Sequence, residues 1–139
     1  MGVSVAGVEG STQGGVWRPD IKDPSCPSRL VLEHVTSRWG VLILIALLER
    51  SYRFGELRRE VGGVSEKMLT QTLQTLERDG FVHRDAKPVI PPRVDYSLTE
   101  LGEEAARQVA ELGRWTERRV AAVQEARARY DQARRESAG

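Results

Sequence analysis

Apolar positions along the chain follow three rhythms, and each predicts a different element. Val41 to Leu48, "VLILIALL", is apolar on nearly every side, the pattern of a central buried helix. Between Ser65 and Asp79, Leu69, Thr72, Leu73 and Leu76 share one arc of a helical wheel, so one side packs and the other does not. After Gly80, "FVHRDAK" and "RVDYSLT" alternate apolar with polar, which predicts two strands joined by the proline-stiffened "PVIPP".

Start and stop signals set the boundaries between these elements. Order is expected to begin at "DPSCPSRLVLEHV", with Pro27 in a first helical turn, where its missing N–H costs nothing, and Leu30 to Val35 continuing the helix. "SRWGVLILIALLER" supplies the buried helix, and "RF" a very short strand. Glu56 to Val61 make a compact helix ended by Gly62-Gly63; Ser65 caps the next helix and Gly80 stops it. Thr99 caps a last helix from Glu100 to at least Val123. Two short helices across a glycine turn, followed by a hairpin, predict a mainly α winged helix-turn-helix with a small β-hairpin wing.

Composition adds boundaries at the ends. Residues 1–24, rich in Gly, Ser and Val without helical or strand period, are expected to be a disordered leader, although Trp17 could dock on the body. Residues 25–124 form the domain, and the charged, Ala-rich residues 125–139 are expected to fray. The apolar run Val41–Leu48 is far short of the roughly 20 residues of a membrane-spanning helix, and the first twenty residues carry no signal-peptide pattern. A cytoplasmic chain with no membrane contact is the expectation.

Chemistry narrows the function classes. A single cysteine, Cys26, excludes an internal disulfide and a Cys-rich zinc site, and no metal or cofactor is expected. His34 and His83 lack an evident acid or nucleophile partner, and there is no Gly-rich phosphate loop, so the chain does not read as an enzyme. The polar side of the helix after Ser65 is more informative. Lys67, Gln71, Gln74 and Arg78 fall in one row, flanked by Thr70 on one side and by Met68 and Thr75 on the other, with Ser65 at the helix start also expected to meet DNA. Gln can pair with adenine, Lys and Arg with guanine or phosphate, and Thr with a thymine methyl. The wing adds Arg84, Lys87 and Arg93, suited to phosphate or minor-groove contact. Net charge is only +1, and Arg50 to Asp95 holds nine Lys/Arg against seven Asp/Glu, so DNA binding would need two subunits for useful specificity.

"CP" before the first helix, "RWGVLILIALL", "RFGELRREVGGVSEKMLTQTLQTLERDGFVHR" and "PPRVDYSLTELG" resemble the HxlR-type winged helix-turn-helix transcriptional regulators of the MarR-like superfamily, over about Cys26 to Trp115. The resemblance implies a DNA-binding homodimer joined through its first and last helices. The residues agree: Leu101, Ala105, Val109 and Leu112, with Trp115 at their edge, form a stripe on the last helix, and Leu30 lies on the first. Several members of that family are similar in using a cysteine at the "CP" position to sense oxidants or electrophiles. Cys26, before Pro27 and near Lys22 and Arg29, has the electropositive setting that favours a thiolate. The expected function is a homodimeric regulator, a repressor on a pseudo-palindromic operator, gated at Cys26 by an oxidant or small electrophile. Two alternatives stand beside it: gating by an aromatic effector near Trp39 and Trp115, and a winged helix that binds protein rather than DNA.

Overall fold

A computed structural model describes residues 20–139 in full, and Ser11–Gln13 and Val16–Arg18 by backbone alone. In chain order the elements are β1 (Ser11–Gln13), β2 (Val16–Arg18), α1 (Pro27–Val35), α2 (Arg38–Glu49), β3 (Tyr52–Arg53), α3 (Phe54–Glu60), α4 (Glu66–Arg78), β4 (Val82–Lys87), β5 (Arg93–Leu98) and α5 (Glu100–Ala138). The core gathers Ile43, Leu44 and Leu47 of α2, Leu57 of α3, the three leucines of α4, and Ala106 and Val109 of α5. No single helix among the described residues is long and apolar enough to cross a membrane.

Caps and turns sit where local chemistry places them. Pro27 opens α1, Ser37 Oγ accepts from the Gly40 amide to cap α2, and Thr99 Oγ1 accepts from the Gly102 amide to cap α5. Gly63 and Gly80 adopt φ of 89° and 87°, the left-handed conformation that a side chain would resist. Helix α3 begins earlier than its composition suggests, because Glu56 Oε1 reaches back 2.9 Å to the Arg53 amide and fixes the first turn at Phe54. The short strand is therefore Tyr52–Arg53 rather than "RF". It pairs with Tyr96 and Asp95, extending the wing into a three-stranded antiparallel sheet of order β3-β5-β4.

Both ends carry backbone elements that the sequence pattern does not mark, while residues 1–10 of the expected leader lie outside the described residues. Within the presumed disordered leader, Ser11–Gln13 and Val16–Arg18 pair as an antiparallel hairpin; the side chain of Trp17 lies outside what is described. At the other end, α5 continues unbroken to Ala138 instead of fraying. Residues 114–138 contain neither Gly nor Pro and are dominated by Ala, Arg, Glu and Gln, all strong helix formers. Side-chain bonds from Gln132 to Glu136 and from Arg135 to Gln132 support the last turns.

Helix α5 also inverts the usual rule that large residues face inward. Its buried positions are Gly102, Ala106, Val109 and Ala110, while Leu101 and Leu112 are about half exposed. The helix runs so close to its neighbours that only small side chains fit between: a Cβ at Gly102 would meet the Phe81 carbonyl, and one at Gly113 would touch Ile45. Hence Val109, expected on a partner-facing stripe, is 5% exposed and belongs to the chain's own core, and Ala105 packs against that core as well.

Candidate nucleic-acid interface

Helix α4 is held by one side and open on the other. Leu69, Leu73 and Leu76 are buried, each contributing about 1.5–3 kcal/mol by leaving water. Ser65 Oγ accepts from the Met68 amide at 3.1 Å, and Phe81 N donates to Leu76 O beyond the Gly80 turn, so both ends are finished. On the open side Lys67, Gln71, Gln74 and Arg78 are exposed, and their side chains make no hydrogen bond or ion pair among the described residues. Thr72 Oγ1 and Thr75 Oγ1 instead donate to the carbonyls of Met68 and Gln71 one turn back.

Two grooves flank this row. On the wing side, Thr70, Gln74 and Glu77 share a 400 Å³ concavity with Arg84 and Tyr96. On the other side, Met68, Gln71, Thr72 and Thr75 line a 240 Å³ concavity with His34 and Ser37 at the α1–α2 junction. Of the sequence-predicted residues, the two grooves bring together Met68, Thr70, Gln71, Gln74, Thr75 and Arg84; Thr75 is half-buried, and these others, with Ser65, Lys67 and Arg78, are exposed.

The wing is electrostatically quieter than its cations suggest. Asp85 pairs in register with Asp95, and Lys87 with Arg93, across β4 and β5. Lys87 is bonded to Asp85, and Arg93 Nε donates to Asp95 Oδ1 at 3.1 Å. The Lys87 bond holds the Asp85 carboxyl below its ordinary range, and the same bond raises the Lys87 ammonium. Spacing of i and i+2 in a strand puts these groups on one face, a signal present in "DAK" and "RVD" that cation counting overlooks.

Cys26 is the N-cap residue of α1 and is only 2% exposed. Its Sγ lies 3.0 Å from Ser28 Oγ, and that bond is the main cause lowering the thiol's pKa, against the opposing effect of burial. The Arg29 backbone amide is among the groups that lower the thiol, but its guanidinium does not face it. Arg29 is turned to the Lys22 carbonyl and to Glu33. His34 is bonded to Asp79, so Cys26 has no histidine base.

Of the expected partner-facing residues, Leu30, Leu101, Leu112 and Trp115 are about half exposed, together with Val31 and Leu32 of α1. Trp39 packs on the core near Gly63 with Arg38 stacked over its ring, 4.7 Å from the centroid. A 340 Å³ cavity between α2 and α5 is lined by Leu42, Ile45, Ala110, Gly113, Arg114, Thr116 and Glu117 and includes neither Trp39 nor Trp115.

A capped helix with an unpartnered row of donors and acceptors, preceded by a short helix and followed by a hairpin, defines a winged helix-turn-helix protein. The HxlR-like helix-turn-helix family profile matches residues 34–124, and the chain belongs to that family. It is 65% identical over 92 residues to YtfH of Escherichia coli (strain K12), an uncharacterized HTH-type transcriptional regulator, covering 66% of this chain and 73% of that one. The solved structure of the transcriptional regulator ytfH from Salmonella typhimurium superposes with a TM-score of 0.76 at 54% identity, over 80% of this chain and 99% of that one. The redox regulator HypR in its oxidized form superposes with a TM-score of 0.62 at 35% identity, over 66% and 95%. The chain is a helix-turn-helix transcriptional regulator, not an enzyme.

Proposed function

We propose that two copies of this chain bind a pseudo-palindromic operator and repress transcription, each copy laying α4 in a major groove and bracing its wing on the backbone. The observation that carries this reading is the row Lys67, Gln71, Gln74 and Arg78, exposed and without side-chain partners among the described residues. The exposed apolar residues Leu30, Leu101, Leu112 and Trp115 provide the surface through which the copies join. Half-sites then lie about one helical turn apart, on the order of 34–36 Å.

Selection of bound duplexes from a randomised library, followed by titration at several salt concentrations, tests the proposal. Affinity falls steeply with salt through counterion release, and Gln71→Ala or Gln74→Ala changes the selected sequence. If Lys67→Ala, Gln71→Ala and Arg78→Ala combined leave the affinity intact, α4 is not the reading element. Salt-insensitive capture of a protein and no duplex would favour the protein-binding alternative.

Gating at Cys26 is supported by its thiolate-favouring bond to Ser28 and by its place at the start of α1, the helix that carries Leu30. As the sole cysteine it can form an intersubunit disulfide, a mixed disulfide or adduct, or a sulfenic acid. Equal loss of DNA binding on oxidant treatment of wild type and Cys26→Ser would remove the thiol from the mechanism.

A further inference from the structure

Helix α4 meets its own domain mainly through leucines, and apolar packing resists separation far better than it resists sliding or rotation. Directional bonds help set the angle at which Gln71 and Gln74 face outward, and apart from the Arg58–Glu66 pair at its start those to other elements lie at the C-terminal end of α4. His34, in the last turn of α1, is bonded through Nδ1 to Oδ2 of Asp79, the C-cap of α4. Because a carboxylate only accepts, Nδ1 carries the proton. One residue on, Thr99 Oγ1 at the start of α5 donates to the Gly80 carbonyl. Among the described residues, every other side-chain ion pair joins residues at most eight apart, whereas His34 and Asp79 are 45 apart.

The sign of the charges is informative. An acid at a helix C-terminus faces the negative end of the dipole, so Asp79 does not serve α4 by itself. The ring of His34, in the last turn of α1, presents a donor to that carboxylate, so one bond joins the two helix ends. His34 is also fixed from behind, since Ser37 Oγ donates to its carbonyl at 2.8 Å while capping α2. Its ring borders the groove that Met68, Gln71 and Thr75 form on the reading side of α4.

We infer that His34 and Asp79 are positioning residues for sequence reading: their bond sets the axial and rotational position of α4, tying it to α1. The inference rests on the DNA-reading proposal. Base-edge hydrogen bonds weaken steeply with small errors of angle and distance, whereas contacts to phosphate tolerate them. Loss of the bond therefore degrades discrimination between sequences more than it degrades DNA binding as such.

The experiment uses the full chain, the duplex it selects from a randomised library, and a scrambled duplex of the same composition. His34→Ala, Asp79→Ala and the double variant are each titrated against both, with thermal unfolding followed in parallel; His34→Gln and Asp79→Asn replace any alanine variant that does not fold. The expected result is a loss of at least about fivefold on the selected duplex in each single variant, the lower end of typical site-to-site coupling. The scrambled duplex is unaffected, and the double variant is no weaker than the weaker single. Equal losses on both duplexes, losses that multiply in the double variant, or a lowered unfolding temperature with no loss of discrimination would each overturn the inference. Failure of the wild-type chain to enrich any duplex would instead overturn the DNA-reading proposal on which it rests.

Discussion

Gly102→Ala should destabilise the protein, against the ordinary expectation for a helical glycine. In an open helix that change gains up to about 1 kcal/mol. Here the added Cβ would lie 1.9 Å from the Phe81 carbonyl oxygen and 2.8 Å from its carbon, both backbone atoms of the segment leaving α4. Relief to the closest separation real Cβ atoms accept, 3.0 Å, requires α5 or that segment to move by about 1 Å. The Gly102 amide is itself bonded to the cap Thr99 Oγ1 at 2.9 Å, so the shift also disturbs the start of α5. Overpacking of this kind costs about 1–3 kcal/mol, and with backbone on both sides the upper end applies, leaving a net loss of about 2 kcal/mol. Urea unfolding at equal chain concentration measures it. Gly62→Ala is the control: no atom lies within 4 Å of its Cβ, and a neutral to about 1 kcal/mol stabilising effect is expected. A Gly102→Ala midpoint at or above wild type, with Gly62→Ala behaving as stated, would refute the close approach of α5 to Phe81.

The wing and the thiol supply two further tests. Removing the acids that occupy the wing cations, Asp85→Asn with Asp95→Asn, should tighten binding to the selected duplex and steepen its salt dependence by about one unit per released cation that meets a phosphate; an unchanged slope would show that Lys87 and Arg93 do not reach the backbone. Ser28→Ala removes the hydroxyl that stabilises the Cys26 thiolate, so the midpoint of alkylation rate against pH should move upward; a midpoint that stays put would mean another group lowers the thiol.

How much of this was legible in the sequence depends on how local the cause is. The packed side of α4, its cap at Ser65, its stop at Gly80 and the alternation of β4 and β5 are all set within a few residues, and each is visible in the residue order. The orientation of α5 is set by a neighbour. Leu101, Ala105, Val109 and Leu112 read as one partner-facing stripe until the approach of Phe81 to Gly102 is known, which turns Ala105 and Val109 onto the core and leaves Leu101 and Leu112 exposed. The His34–Asp79 bond joins two helix ends that no periodicity relates. The neutralised wing lies between these cases, since its in-strand pairs follow from the period of two once the strands are assigned.

The length of α5 has a practical consequence. At 1.5 Å per residue its 39 residues extend about 58 Å, whereas a compact 139-residue chain has a radius of gyration of only about 14 Å. Beyond Gly113 nearly every residue of that helix is exposed. Friction in solution will be governed by this projecting rod rather than by mass. The protein should elute from a sizing column ahead of globular standards of its weight, so a single chain can pass for a pair. Sedimentation equilibrium, which is blind to shape, is the measurement that counts its copies.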